Sequence, residues 1–489
     1  LIEKLKQLTK DTAIYGVSTI LGRFLNFLLV PFYTHVFLPD KYGIISNYYA
    51  FIGLMNIIFL YGMDSAYLKY ASQKEIGDEK DNFSTPFLSV VFSSILFGLA
   101  IILLKEPLVV FLGAPPDFSF VYYTVIILIV DSLTVIPFVA LRLDRKAKKF
   151  SFIRISNILL NVALNLFLIL KKRWGIESVF IANIAASALT LVLLLPSIAS
   201  KLKFRFHKDL YRHLLKFGLP YLPAGIGAMI VQVIDRPILS KLTDLKTVGI
   251  YQANYKLGIF MMLFVNMFQF AWQPFFMQNA KEKDAKKIFS KVLTYFTLSG
   301  GIILVTLSLF IDNLVKIHIF GRSLIAPAYW SGLNIVPVVL LGYLFNGVYI
   351  VFTAGIFIKE KSNYVPFIIG FAALLNIVVN FFAIPPFGIM GAAFATFISY
   401  FFMAAGFYFV TQKFYRIEYE YKKILNIFIA IFLTGGIYYY TMYMRMNTFA
   451  VKILLMLLFT ALVYFRVLDK QETAFIKKNL KRVYGKNNS

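Results

Sequence analysis

The 489-residue sequence contains no cysteine, which removes disulfides and thiolate metal sites from consideration. Histidine is nearly as scarce. His35, His207, His213 and His318 lie scattered without metal-ligand spacing, so no metal site and no cofactor is expected. Charge is thin as well: Asp, Glu, Lys and Arg make up 15% of the chain, where a soluble protein carries about a quarter. Acids are the scarcer sign, 24 against 50 bases, for a net charge of +26. No GxxxxGK[ST] loop appears, which argues against an intrinsic ATPase. Long polar connections are missing too, leaving no room for a soluble catalytic domain between the apolar runs.

What the chain has in abundance is oil. Hydrophobic residues account for 59%, and long apolar runs recur with short polar breaks. A spanning helix needs about 20 mostly apolar residues. Such runs place helices near 12–36, 44–70, 84–105, 121–142, 151–171, 176–198, 215–241, 248–277, 288–312, 331–357, 364–384, 388–411, 423–443 and 449–467. The expected fold class is an all-α membrane protein of about fourteen transmembrane helices. The first ten residues, LIEKLKQLTK, put Ile2, Leu5 and Leu8 on one helical face with Lys4, Lys6 and Lys10 available to headgroups, and read as a short interfacial helix rather than a targeting segment.

Basic residues are spread through alternate loops rather than clustered on one face, which speaks for a membrane topology and against nucleic acid as a partner. The N-terminus, the segments around 69–80, 142–154, 201–216, 281–291, 359–361 and 413–423, and the tail after 465 hold 36 of the 50 bases; the opposite loops hold 10. Both termini are therefore expected in the cytoplasm, with Lys171, Lys172 and Arg173 as the exception on the outer side.

Sliding the chain over itself by 206 residues reveals a repeat. YGIISNYY at 42–49 falls on VGIYQANY at 248–255, Pro31 on Pro237, Asn26 on Gln232, and Phe83-Ser84 on Phe289-Ser290. With small gaps, Leu160-Asn161 and Asn165 meet Leu375-Asn376 and Asn380. A six-helix unit enters the membrane twice with the same polarity, so two parallel six-helix lobes around a central cavity are expected. The expected domains are an N-lobe at 1–200, a C-lobe at 201–412, and two extra helices with a basic tail at 413–489.

LLNIVVNFFAIPPFGIMGAAFAT at 374–396 resembles the signature of bacterial polysaccharide-export flippases of the multidrug/oligosaccharidyl-lipid/polysaccharide exporter superfamily. ILLNVALNLFLILKKRWGIESVFIAN at 158–183 is a weaker copy. The opening at 12–44 resembles that family's first helix and loop, and KFGLPYLPAGIGAMIVQVIDRPILSKL at 216–242 its seventh helix. The resemblance implies fourteen helices, alternating access, and a cargo of oligosaccharide on a polyprenyl pyrophosphate. The cargo would pass from the cytoplasmic to the outer leaflet of a bacterial inner membrane for surface glycans such as O-antigen lipopolysaccharide. Membrane lipids and other polysaccharide-assembly proteins are the further partners it implies. Cousins that flip the peptidoglycan precursor, and cation-coupled multidrug exporters, are the alternatives within the superfamily. A glycan-polymerising membrane enzyme would want a large outer loop bearing Arg, His or acids.

Asn161 and Asn165, like Asn376 and Asn380, sit at i and i+4, where their amides can hydrogen-bond between helices. Charges that the bilayer should reject supply the candidate site, because Arg at the centre of a span costs about 2.5–3.5 kcal/mol on insertion scales. Arg23 lies near mid-bilayer on a polar stripe with Thr12, Gly16, Thr19 and Asn26. A guanidinium there matches a pyrophosphate; an ion pair with Asp64 or Asp131 is the structural alternative. Lys256, with Gln252 one turn away, is a second candidate for cargo, and a basic residue in this eighth helix is also what the resemblance implies. Arg236 is a third, placed late enough in its helix to snorkel to the outer surface. Neighbouring Asp235 points about 100° away on an ideal helix, so an Asp235–Arg236 salt bridge is not required. Tyr48, Tyr49, Tyr251 and Tyr255 occupy repeat-related positions, either meeting sugar or anchoring helix ends at the interface. Asp64, Asp131 and Asp235 are the candidates for a coupling H⁺ or Na⁺, with the membrane potential as another route.

Overall fold

The structure, a computed structural model, describes residues 22, 24, 25, 27–73, 76–319, 321–446, 448–470, 472 and 473. Within them the chain is a succession of helices, because hydrocarbon leaves backbone N–H and C=O groups no partner but each other. Thirteen helices among the described residues are long and apolar enough to cross a membrane. A shorter apolar helix, α1 (Phe27–Val36), occupies the described end of the expected first span. β-structure among these residues is one two-residue ladder, His318–Ile319 against Arg322–Ser323. Side chains such as Phe92, Phe367 and Phe382 are exposed, as lipid-facing positions require.

The helices fall into two compact units. The first takes the described chain up to Ile259, together with Ile325–Ile335 and Asn363–Met403. It contains α1, α2 (Pro39–Leu60), α3 (Met63–Gln73), α4 (Glu79–Leu103), α5 (Lys105–Leu112), α6 (Ser119–Leu143) and α7 (Ala147–Leu166). α8 (Glu177–Lys201), α9 (Lys208–Gly218), α10 (Leu222–Val233), α11 (Asp235–Leu242) and α12 (Leu245–Tyr255) complete its continuous part.

Several expected spans are broken helices. The run expected at 44–70 bends between α2 and α3, where Tyr61 and Gly62 are left-handed (φ 34° and 79°). A Cβ on Gly62 would run into the backbone of Gly218, so only glycine lets the end of α9 approach this bend. The run expected at 215–241 is divided by a 3₁₀ turn at Leu219–Tyr221, and again between α10 and α11. Helix starts follow local chemistry. Asp78 caps α4 in a reciprocal box with Asp81, and Asp244 caps α12 by accepting from the Thr247 N–H at 2.7 Å. That backbone bond leads the causes holding the Asp244 carboxyl below its usual range.

Repeat-related helices cross inside this unit. Gly43 on α2 and Gly249 on α12 are 206 residues apart, as are Pro39 and Leu245. A Cβ on Gly43 would overlap the Leu245 carbonyl, and one on Gly249 would overlap the Pro39 carbonyl. The two contacts exchange under the 206-residue shift, the pattern a local two-fold through the crossing produces. Small residues let the backbones close to this distance. Within the unit, Tyr61, Met63, Phe83, Phe87, Phe138 and Phe150 form a continuous apolar core with Leu194, Leu210 and Leu214.

The second unit holds Phe260–Leu324, Val336–Ser362 and the described chain from Ala404. Its helices are α13 (Ile259–Asn279), α14 (Ala285–Lys316), α15 (Val336–Ile358), the end of α17 (Ile389–Phe414), α18 (Tyr421–Tyr443) and α19 (Phe449–Arg466). Trp272 donates its indole N–H to the Ile350 carbonyl at 3.1 Å, tying α13 to α15. Lys452 is 2% exposed and reaches Asp312 at 2.6 Å and the Asn313 amide oxygen at 2.6 Å, tying α19 to α14. Helix α16 (Val365–Phe387) and the start of α17 belong to the first unit.

Candidate functional site

The first unit contains a polar cavity of about 320 Å³ bounded by α2, α6, α7 and α8. Its lining is set by helical spacing. Arg154, Asn157 and Asn161 follow at i, i+3 and i+7 on α7, and Asn183, Ser187 and Thr190 at i, i+4 and i+7 on α8. Asp131 and Thr134 face it from α6, and Asn56 from α2.

One wall is a relay of hydrogen bonds. Tyr49 donates to the Asn183 amide oxygen at 3.3 Å, the Asn183 N–H to Ser187 at 3.4 Å, and the Ser187 hydroxyl to Asp131 at 2.5 Å. Asn157 donates to Thr190 at 2.9 Å. At the far end of the α7 stripe, Tyr33 donates to the Asn165 amide oxygen at 2.8 Å, while the Asn165 N–H returns to Asn161. Such a network fixes the orientation of its members. Arg154 is held differently: its guanidinium lies 4.4 Å from the Phe138 ring centroid and 5.7 Å from that of Phe150. The side chain is exposed to the cavity. Asp131 and Arg154 thus put opposite charges on the same cavity while each rests on another partner.

A second polar cluster in this unit joins α11 to α12. Arg236 is 5% exposed and pairs with Asp235 at 2.5 Å. Its Nε donates to Gln252 at 3.1 Å, Nη1 donates to the Gln232 carbonyl, and the guanidinium lies 4.4 Å from the Tyr255 ring. Asp235 also accepts from Tyr251 at 2.5 Å and from Thr396 at 3.5 Å.

Arg236 therefore does not snorkel. Asp235 and Arg236 are the first two residues of α11, and the long Arg236 side chain folds back so that Nη1 reaches both the Gln232 carbonyl and Asp235; the salt bridge that ideal geometry did not require is formed. Of the other candidates, Gln252 belongs to this cluster, whereas the Lys256 side chain follows the end of α12 and is exposed. Asp131 lines the cavity, and Asp64 sits half-buried in the first turn of α3. Arg23 and Asn26, with the interfacial helix expected at 1–10, lie outside the described residues. Tyr48, Tyr251 and Tyr255 are buried, not interfacial anchors: Tyr48 packs on Phe120 and Phe180, and Tyr251 on Tyr255. Asn376 and Asn380 bond to each other at 2.8–2.9 Å, so their amides brace one helix face.

Arg154 was not among the expected site residues, because it falls where the basic segment 142–154 overlaps the start of the helix expected at 151–171, and there a base reads as part of the loop charge. α7 begins at Ala147, which carries Arg154 two turns into the helix, about 10 Å at 1.5 Å per residue. The signal was the spacing of Arg154, Asn157, Asn161 and Asn165, a polar stripe on an apolar run.

Residues 8–280, more than half of the chain, match the family model described as polysaccharide biosynthesis protein. The chain belongs to the polysaccharide biosynthesis protein family. Among curated relatives of this family member, Lsg locus putative protein 1 of Haemophilus influenzae is 20% identical over 357 residues, covering 69% of this chain and 84% of that one. Among solved structures, a lipid II flippase MurJ in an inward closed conformation superposes with a TM-score of 0.67 at 20% identity, covering 92% of this chain and 99% of that one. An inward-facing multidrug resistance MATE family transporter of the MOP superfamily gives 0.63 at 10% identity, covering 80% and 94%. The family member thus has the fold of these solved structures, and the expected all-α membrane architecture and the resemblance to a polysaccharide family are borne out.

Proposed function

We propose that the protein flips a polyprenyl-pyrophosphate-linked oligosaccharide from the cytoplasmic to the outer leaflet of a bacterial inner membrane, by alternating access and for surface polysaccharide synthesis. The observation that carries the reading is the polar cavity with its exposed guanidinium, enclosed by apolar helices in a member of a polysaccharide biosynthesis family. A pyrophosphate-linked sugar resists crossing hydrocarbon because its charge and its hydroxyls both lose water there. A cavity whose described lining offers amides, hydroxyls, a guanidinium and a carboxylate replaces those contacts and needs no covalent chemistry. Lys256 and Arg23 remain the residues proposed for the pyrophosphate. Arg236 and Gln252 are proposed to support the site through their mutual contact.

A peptidoglycan-precursor flippase is the second reading, favoured by the fold shared with the lipid II flippase. A cationic-drug exporter fits less well, since Arg154 faces the same space as Asp131. The test is reconstitution of the full chain into vesicles carrying polyprenyl-pyrophosphate-linked glycans or the peptidoglycan precursor in the starting leaflet. Transfer of the glycans and not of the precursor supports the proposal. Transfer of the precursor alone selects the second reading, and transfer of neither rejects both.

A further inference from the structure

The cavity of the first unit offers an unusual set of bonding groups once its internal network is counted. Ser187 occupies one oxygen of Asp131, one N–H of Asn157 goes to Thr190, and Asn183 is held between Tyr49 and Ser187. Among the described residues that face the cavity, Asn157 and Asn161 keep part of their amide capacity, and three more groups keep theirs in hand: the Arg154 guanidinium, the second Asp131 oxygen and the Asn56 amide. They are a donor fork, an acceptor, and a group that does both.

The balance of charge selects the ligand. A dehydrated cation wants five or six oxygens in a tight cage, but this space holds about ten waters at ~30 Å³ each and has a guanidinium in its wall. A pyrophosphate wants several cations, but among the described residues Arg154 is the one cation lining this space, and it shares it with the Asp131 carboxylate. A polyol suits all three groups, because each hydroxyl both donates and accepts. The volume stands at the lower edge of the ~300–1,000 Å³ typical of small-molecule sites, enough for one sugar ring and too small for an oligosaccharide.

We infer that this cavity is a subsite for one glycosyl unit of the cargo, with Arg154 and Asn56 donating to its hydroxyls and Asp131 accepting from one. The inference rests on the flippase reading and assigns sugar recognition to α2, α6, α7 and α8, apart from the residues proposed for the pyrophosphate. The relay from Tyr49 to Asp131 acts as support, holding the carboxylate in position before the sugar arrives.

The test is saturation-transfer NMR on the full-length chain in nanodiscs, with glucose, galactose, N-acetylglucosamine and glucuronate as probes. At least one sugar should show transfer at millimolar concentration. Arg154→Ala and Asp131→Asn should each weaken it about tenfold, the scale of one charge-assisted hydrogen bond. Phe382→Ala, at an exposed apolar position, should leave it unchanged. Arg154→Lys, which keeps the charge and loses the fork, serves as the second variant should Arg154→Ala fail to fold, and should weaken binding less. No transfer from any of the four sugars overturns the subsite, as does transfer that both cavity variants leave intact. Thermal stabilisation by NaCl that Asp131→Asn abolishes, without sugar binding, reassigns the cavity to a cation. Leaflet transfer is scored in parallel. Sugar binding without glycan transfer retains the subsite and rejects the flippase reading, and glycan transfer without sugar binding does the reverse.

Discussion

Adding one methyl group at the crossing of α2 and α12 tests how the two repeats meet. In Gly43→Ala the new Cβ would lie 2.9 Å from the Leu245 carbonyl carbon and 3.3 Å from the Gly249 nitrogen, with the Leu245 oxygen nearer still. In Gly249→Ala it would lie 2.7 Å from the Pro39 carbonyl carbon and 3.1 Å from the Gly43 nitrogen, with the Pro39 oxygen again nearer. Every one of these neighbours is backbone, so no rotamer change makes room and the helices must part. Overpacking of this kind costs ~1–3 kcal/mol, against which alanine in a helix interior gains ~0.5–1 kcal/mol over glycine. Each substitution should therefore be net destabilising, and the two should be alike because their contacts exchange under the repeat. Gly370→Ala is the control: nothing lies within 4 Å of its Cβ, so only the propensity gain remains. Thermal midpoints of the three variants in detergent provide the assay. Midpoints for Gly43→Ala and Gly249→Ala that match or exceed that of Gly370→Ala would refute the close crossing.

Three further perturbations have expected outcomes. Arg236→Met should destabilise the first unit by ~3–5 kcal/mol, because Asp235 is left buried with its charge unpaired, and adding Asp235→Asn should recover most of the thermal midpoint. Lys452→Met should cost less than that, since Asp312 keeps 31% of its side chain exposed and is partly rescued by solvent. Unchanged midpoints in either case would contradict the pairing described. Asp244→Ala should cost ~1 kcal/mol through the lost cap of α12, with Asp244→Asn close to wild type. The folded-state pKa of Asp244 is depressed, so its contribution is full above the unfolded value of ~3.9 and fades as pH falls through the lower folded value. The gap between wild type and Asp244→Ala should narrow in that acid range; a gap independent of pH would rule out the charged cap.

How much of this was readable in advance depended on which residues carry the information. The spans were legible because an apolar run of helical length has one stable home in a bilayer, and the 206-residue repeat was legible because Gly43 and Gly249 sit in matching strings. Breaks inside spans were not. The bend at Tyr61–Gly62 depends on the approach of Gly218, 156 residues away, which no local window contains. Arg154 and Lys452 were missed for one reason: each falls within a few residues of an estimated helix boundary, where a base reads as loop or headgroup anchor. A shift of four residues at the start of α7, from 151 to 147, moves Arg154 from the first turn, where a base reads as a headgroup anchor, to two turns into the helix. Arg236 shows a different failure: ideal geometry of one continuous helix hid the way its long side chain reaches back to Asp235.

The measurement closest to the central claim is the rate at which a polyprenyl-pyrophosphate-linked glycan, loaded into one leaflet of proteoliposomes, becomes accessible to a membrane-impermeant glycosidase on the other side. With equal amounts of inserted protein, wild type should expose the glycan well above protein-free vesicles, and Arg154→Ala should slow exposure about tenfold. Equal rates for wild type and Arg154→Ala, or no exposure by wild type above the vesicle background, would contradict a sugar path through the cavity.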